Sequence, residues 1–75
     1  MITTLQQLFE EVLRQPMPAL TAETPFAELP GWDSVAHLAL LLTVERYFSA
    51  TFTSAQMVSM KTVGDMITAL EGANG

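Results

Sequence analysis

The stretch PGWDSVAHL, residues 30–38, joins a proline-rich connection to the apolar segment that decides the fold. Gly31 ends the connection, and Asp33 suits the N-cap of a helix because its carboxylate can accept an unpaired N–H group of the first turn. Ser34 then opens the helix. The stretch therefore predicts a primary hydroxyl at the electropositive start of a helix, where a second protein can reach it and leave a phosphate group on it.

Residues 34–48 are predicted to form the second helix of the chain, and their apolar residues form two stripes at about 100° per residue. The wider stripe should face the core and contains Leu40, Leu41, Val44 and Phe48. The narrower stripe starts beside Ser34 and contains Val35, Leu38 and Leu42. A surface helix needs only one buried stripe, and so short a chain has few elements to cover both. We therefore expect the narrower stripe to dock partner proteins; burial on both sides is the alternative.

Two further amphipathic helices are predicted at the ends of the chain. Residues 2–14 repeat apolar side chains at helical spacing, and a Thr-x-x-Gln capping box fits at residues 4–7 or at residues 3–6. The last helix begins after Thr62, which suits an N-cap, and should end at Gly72. A short third helix opens at a capping box in residues 53–56.

The connection at residues 15–32 contains all four prolines and shows no sustained periodicity, which is typical of a long loop. Four apolar residues should fix it against the helices: Met17, Leu20, Phe26 and Leu29. No stretch alternates for long enough to indicate a strand. The predicted fold is all-α, a small four-helix bundle of three main helices and one short helix with a long first loop, and residues 1–75 should form a single domain.

Composition excludes several classes of function. Eight acids against three bases give a net charge of −5, which argues against nucleic-acid binding. There is no cysteine and only one histidine, so we expect no disulfide and no metal site. The longest apolar run is too short to span a membrane, and no signal peptide is visible. We expect a monomer in the cytoplasm.

Ser34 does not fit the role of a catalytic nucleophile. Catalysis would need an adjacent general base and an oxyanion site, and the chain has no Gly-x-Ser-x-Gly elbow. Its single histidine, His37, follows three residues later on the same helix. We therefore predict no catalytic residue and no enzyme. His37 is interpreted as a polar residue near a helix start, with contact to a group attached at Ser34 as the alternative.

Residues 31–35, GWDSV, resemble the Gly-x-Asp-Ser-Leu signature of acyl carrier proteins, with Val35 in place of the usual Leu. Residues 44–48, Phe52 and residues 62–66 match the pattern that follows the modified serine in that family, so the resemblance covers about the whole chain. It implies a 4′-phosphopantetheine arm on Ser34, whose thiol carries an acyl group as a thioester. It also implies that Asp33 helps a phosphopantetheinyl transferase to orient its metal ion, and that acyl-loading and acyl-processing enzymes are further partners.

Departures from the family pattern refine this interpretation. Fatty-acid carriers usually place acids along the second helix, where this chain has Ala36 and Ala39, with Arg46 after Glu45. Peptidyl carriers tend to have His before the serine, so Asp33 favours the acyl branch. Starting at Met and ending soon after the last helix, the chain resembles a free-standing carrier. We expect it to serve specialised polyketide or mixed peptide–polyketide biosynthesis. A peptidyl or aminoacyl carrier, or an unmodified helical interaction module, is the alternative.

Overall fold

The computed structural model describes residues 1–74, which form four α-helices. Their bounds are α1 (Ile2–Leu13), α2 (Ser34–Phe48), α3 (Ser54–Ser59) and α4 (Val63–Asn74). One turn of 3-10 helix, Phe26–Glu28, lies within the first loop, and no strand forms within residues 1–74. The predicted all-α bundle, with three main helices, one short helix and a long first loop, is confirmed. None of the helices in this range has the length and apolar character needed to cross a membrane.

A single apolar core draws side chains from α1, α2, α4 and the connections between the helices. Its most enclosed members are fully shielded from solvent: Leu5, Phe9, Leu40, Val44, Val63, Met66 and Leu70. Within residues 1–72 no polar or charged side chain is buried. Burying one such apolar side chain contributes roughly 1.5–3 kcal/mol, so these positions dominate the stability of a domain of this size.

Helix α2 has one buried and one exposed apolar face, as the two stripes predicted. Leu40, Leu41 and Val44 are buried, and Phe48 is half-buried against the core. The other stripe lies in solvent, with Val35 75% exposed, Leu38 52% exposed and Leu42 46% exposed. The predicted separation of the two faces is therefore confirmed.

The first loop is fixed to α1 by the side-chain amide of Gln6. Its Nε2 donates to the carbonyl of Met17 at 3.0 Å and to that of Pro18 at 3.1 Å. Its Oε1 accepts the backbone N–H of Leu20 at 3.0 Å. A loop without regular structure needs partners for its backbone polar groups, and one glutamine supplies three of them here. The four apolar residues predicted to fix this loop are all buried.

The same loop is also joined to the start of α4 by backbone hydrogen bonds. Three amides donate across this junction: Phe26 to Lys61, Val63 to Thr24, and Gly64 to Ala22, at 2.9, 3.0 and 2.8 Å. The approach is closest at Gly64, where an added Cβ would lie 2.7 Å from the carbonyl oxygen of Ala22. Only glycine therefore fits at this position without displacing the loop.

Helix α1 begins where it was predicted, but its predicted cap and the predicted end of the last helix are wrong. Helix α1 begins at Ile2 with Met1 as a cap that makes no side-chain hydrogen bond, so neither predicted Thr-x-x-Gln box forms. The first turn is closed instead by a backbone hydrogen bond from Leu5 to Met1 at 3.0 Å. Helix α4 continues through Gly72 to Asn74, because an interior glycine lowers helix stability by only about 1 kcal/mol. Residue 75 lies outside the described range.

Candidate functional site

The start of α2 is built by Asp33, whose extended backbone places its side chain over the first turn. Its Oδ1 accepts the backbone N–H of Ala36 at 2.7 Å, and its carbonyl accepts the N–H of His37 at 2.9 Å. Ser34 is the first helical residue and is exposed. The predicted N-cap is confirmed, and the serine hydroxyl lies at the end of the helix where backbone N–H groups are concentrated.

The turn that leads into this helix depends on Gly31. Its φ of 75° lies in the left-handed region, and a Cβ at this position would collide with the side chain of Gln15. The backbone N–H of Trp32 then donates to the carbonyl of Leu29 at 3.2 Å, which closes the turn. The glycine therefore lets the chain reverse tightly between the buried Leu29 and the exposed serine.

The exposed face of α2 beside Ser34 is apolar. Val35, Leu38 and Leu42 follow one another at spacings of three and four residues, so they share one side of the helix. The carboxylate of Glu45 is not available on this face, since its Oε2 accepts the backbone N–H of Phe52. We call these three residues the apolar stripe of α2.

An aromatic cluster lies on the other side of Ser34. The Trp32 ring stacks on Phe26, with ring centroids 5.1 Å apart, and the His37 ring meets both of them edge-on. His37 also joins α2 to α3, because its Nε2 lies 3.0 Å from the carbonyl oxygen of Met57. The sequence did not indicate the contact between His37 and Met57, because the two residues are twenty positions apart in the chain.

A groove of about 300 Å³ opens at this cluster. Its walls come from the first loop, α2, α3 and the turn after α3, and include Phe26, Ala27, Trp32, His37, Val58 and Lys61. Of two other grooves, one lies between α3 and α4 without touching α2, and one reaches α2 only from Thr43 onwards. Of these three grooves, the one at His37 has the lining residue nearest to the start of α2.

The arrangement provides a hydroxyl that can be modified, without the groups that would make it attack a substrate. His37 is held by Met57 on α3, and the cap Asp33 is engaged with the backbone of α2. Within residues 1–74 no group of three or more His, Cys, Asp or Glu residues could hold a metal ion. Ser34 is exposed, so its hydroxyl is accessible to another enzyme.

Comparison with known proteins agrees with this geometry. Residues 3–70 match the protein family described as phosphopantetheine attachment site. The solution NMR structure of a holo acyl carrier protein from Geobacter metallireducens is similar, with a TM-score of 0.86 at 25% identity over 97% of this chain and 84% of that one. A candidate acyl carrier protein from Mycobacterium tuberculosis shares the fold, with a TM-score of 0.82 at 23% identity over 93% of both chains. No curated protein matches the sequence.

Proposed function

Because the chain belongs to the phosphopantetheine attachment-site family of acyl carrier proteins, which carry the group covalently and do no catalysis themselves, we propose that Ser34 is its attachment residue. The observation that carries this assignment is the exposed hydroxyl directly after the capping Asp33, at the start of the longest helix. Ser49 ends the same helix instead, and Ser59 donates its hydroxyl to the carbonyl of Gln56.

The residues around Ser34 fit a phosphate-linked group. The start of α2 favours a negative charge, because its N–H groups and helix dipole point toward the attachment point. Capping uses Oδ1 of Asp33, so we assign Oδ2 to contact with the metal ion of the phosphopantetheinyl transferase. When bound, the arm supplies a thiol that holds an acyl group as a thioester and so activates its carbonyl for partner enzymes.

The apolar stripe of α2 is proposed as the surface on which partner enzymes dock. Val35, Leu38 and Leu42 run down the helix from the attachment point, and about half or more of each side chain is exposed. An exposed apolar row beside a modified residue is the kind of surface that a partner buries. We assign to it the transferase, acyl-loading enzymes and acyl-processing enzymes.

We place the carrier in specialised polyketide or mixed peptide–polyketide biosynthesis, acting in the cytoplasm as a single-domain monomer. Support comes from the apolar character of α2 beside Ser34 and from Asp33 where peptidyl carriers tend to have His. A peptidyl or aminoacyl cargo is the alternative. Loading of the holo protein with acyl, malonyl or aminoacyl groups by purified activating enzymes would distinguish these cargoes, and preferential aminoacylation would overturn the polyketide assignment.

The attachment site is tested by mass spectrometry after incubation with coenzyme A and a broad-specificity phosphopantetheinyl transferase. Wild-type protein should gain one phosphopantetheinyl group, and Ser34→Ala should remain folded and gain none. Ser54→Ala is the matched control, because Ser54 is also exposed and also opens a helix after a capping residue. Modification of Ser34→Ala, or loss of modification in Ser54→Ala alone, would overturn the assignment.

A further inference from the structure

Arg46 is the one charged side chain of α2 that the fold leaves available. Within the helix only Glu45 and Arg46 carry a full charge at neutral pH, and Glu45 accepts the backbone N–H of Phe52. Arg46 is exposed, and none of the side-chain hydrogen bonds within residues 1–72 involves its guanidinium. Its charge suits the dipole at the end of α2, but that interaction uses none of its five N–H donors.

Arg46 lies at the far end of the apolar stripe of α2. It follows Leu42 by four residues, and positions four apart are neighbours on one side of a helix. At about 100° per residue it also lies only about 20° around the helix from Val35. The rise from Ser34 to Arg46 is about 18 Å. A partner that covers the apolar stripe therefore meets this cation at the end opposite the attachment point.

A groove of about 410 Å³ between α1 and α2 begins at the same arginine. Leu8 and Glu11 of α1 form one side, and Thr43, Arg46 and Tyr47 of α2 form the other. The Tyr47 side chain is 60% exposed. Tyr and Arg are enriched among the residues that dominate binding energy in protein interfaces. The surface beside the apolar stripe thus offers an exposed ring and a guanidinium next to each other.

The charges in this groove favour an acidic visitor on the α2 side. Glu11 is the single acid in the lining and belongs to α1, whereas Arg46 borders the apolar stripe. Glu11 does not hold the guanidinium, because Arg46 makes no hydrogen bond within residues 1–72. The planar fork of a guanidinium matches a carboxylate with two parallel hydrogen bonds. A cation arriving from the stripe would instead meet a like charge.

We propose that an enzyme docked on the apolar stripe of α2 places the carboxylate of an Asp or Glu on Arg46, at the mouth of the groove between α1 and α2. This rests on the proposed docking at the stripe. The matching surface of the partner is apolar opposite Leu38 and Leu42 and acidic opposite Arg46. The net charge of −5 attracts basic surfaces at long range. The pair at Arg46 acts at short range and fixes the register of docking.

The probe is the purified activating enzyme that loads the wild-type holo protein, and the readout is kcat/KM for loading. Arg46→Gln should lower it about two- to fivefold, as loss of one exposed ion pair does. Arg46→Glu should lower it by on the order of tenfold or more, through KM and not kcat, because it opposes two like charges at the edge of the interface.

Arg14→Glu is the matched control. Arg14 is exposed, ends α1 and lies outside the groove, so its reversal changes the net charge and a helix end in the same way. This variant should load like wild type. Circular dichroism melting of the three variants checks that each is folded before loading is compared.

Exchange of charges identifies the acid on the partner. Exposed Asp and Glu residues of the activating enzyme are replaced with Lys one at a time. One of these enzyme variants should load the wild-type carrier more slowly and restore loading of Arg46→Glu. Such a reciprocal rescue requires direct coupling of the two positions, because distant charges contribute additively.

The outcomes separate this proposal from those on which it rests. If Leu42→Ala slows loading and Arg46→Glu does not, docking on the apolar stripe stands and the acidic contact is wrong. An equal defect in Arg14→Glu, or the absence of any rescuing enzyme variant, would also overturn the contact. If Leu42→Ala has no effect, docking on the stripe fails and the contact fails with it. If Ser34 gains no mass, attachment fails and both docking proposals fall.

Discussion

The carboxylate of Glu45, near the end of α2, accepts the backbone N–H of Phe52 at 2.6 Å. Phe52 is buried, so this hydrogen bond holds the turn between α2 and α3 against the core. The acid is thereby committed to the fold. Because Ala36 and Ala39 contribute no charge, the exposed face of α2 that contains Val35, Leu38 and Leu42 is apolar.

Salt is therefore expected to have little effect on partner docking. Burial of the apolar stripe is insensitive to moderate salt, whereas attraction between exposed charges is screened over about 10 Å. The rate at which an acyl-loading enzyme acylates the holo protein should fall by less than about tenfold between low and high sodium chloride. Leu42→Ala should slow loading more than Glu28→Gln, which removes an exposed charge from the first loop. A steep salt dependence with a large Glu28→Gln defect would indicate an electrostatic interface.

Introducing a carboxylate by substitution should unfold the domain on the buried face of α2 but not on its exposed face. Val44 is fully buried, and an unpaired charge there costs more than the roughly 1.5–3 kcal/mol of the lost apolar burial, so Val44→Asp should unfold the domain. Leu38 is half-exposed, so Leu38→Glu should keep its helicity and melting temperature while its acylation by partners slows. Circular dichroism measures the first two quantities. Helicity lost in Leu38→Glu but kept in Val44→Asp would mean that the faces are reversed.

Gln6 should matter for stability although it is polar and only half-buried. Gln6→Ala removes three hydrogen bonds to the first loop, each worth about 1 kcal/mol, so a loss of roughly 1–3 kcal/mol is expected. Gln7→Ala is the control, because the neighbouring glutamine is exposed. Urea unfolding followed by circular dichroism gives both values, and equal midpoints would show that the loop does not depend on this side chain.

The two glycines of α4 should give opposite results on conversion to alanine. At Gly64 the new Cβ would lie 2.7 Å from the Ala22 carbonyl oxygen, so Gly64→Ala should destabilise the domain by about 1–3 kcal/mol as the loop is displaced. At Gly72 nothing lies within 4 Å, so Gly72→Ala should stabilise by up to about 1 kcal/mol through helix propensity. Thermal melting measures the stability of both variants. A Gly64→Ala variant as stable as wild type would contradict the close approach of Gly64 to Ala22.

Local sequence patterns correctly predicted those structural features that depend on residues close together in the chain. The cap at Asp33 and the two stripes of α2 follow from residue type and helical period, and both were predicted correctly. The contacts of Gln6 with the first loop and of His37 with Met57 join residues far apart in the chain, and no local pattern indicates them. The same holds for Gly64, whose sequence context indicates a helix start while its close contact lies in the first loop. Attachment at Ser34 and docking on the apolar stripe remain proposals.

Asp65 should make the stability of α4 depend on pH. Hydrogen bonds from the backbone N–H groups of Lys61 and Thr62, at 2.9 and 3.2 Å, hold the pKa of the Asp65 carboxyl below its ordinary value. A pKa that is lower in the folded state means that the charged form stabilises the fold. This contribution is complete above the unfolded pKa of about 3.9 and is lost as pH falls through the lower folded value.

Asp65→Asn should therefore melt at a lower temperature than wild type near neutral pH, because the amide keeps the shape but lacks the charge that these N–H groups and the start of α4 favour. As pH falls below the folded pKa, wild-type Asp65 also becomes neutral, and the two melting temperatures should converge. Glu71→Gln removes an exposed acid from the last turns of the same helix and is the matched control, since a negative charge there is not favoured by the helix dipole. A difference between Asp65→Asn and wild type that stayed constant down to low pH would show that the side chain acts through its shape and not through its charge.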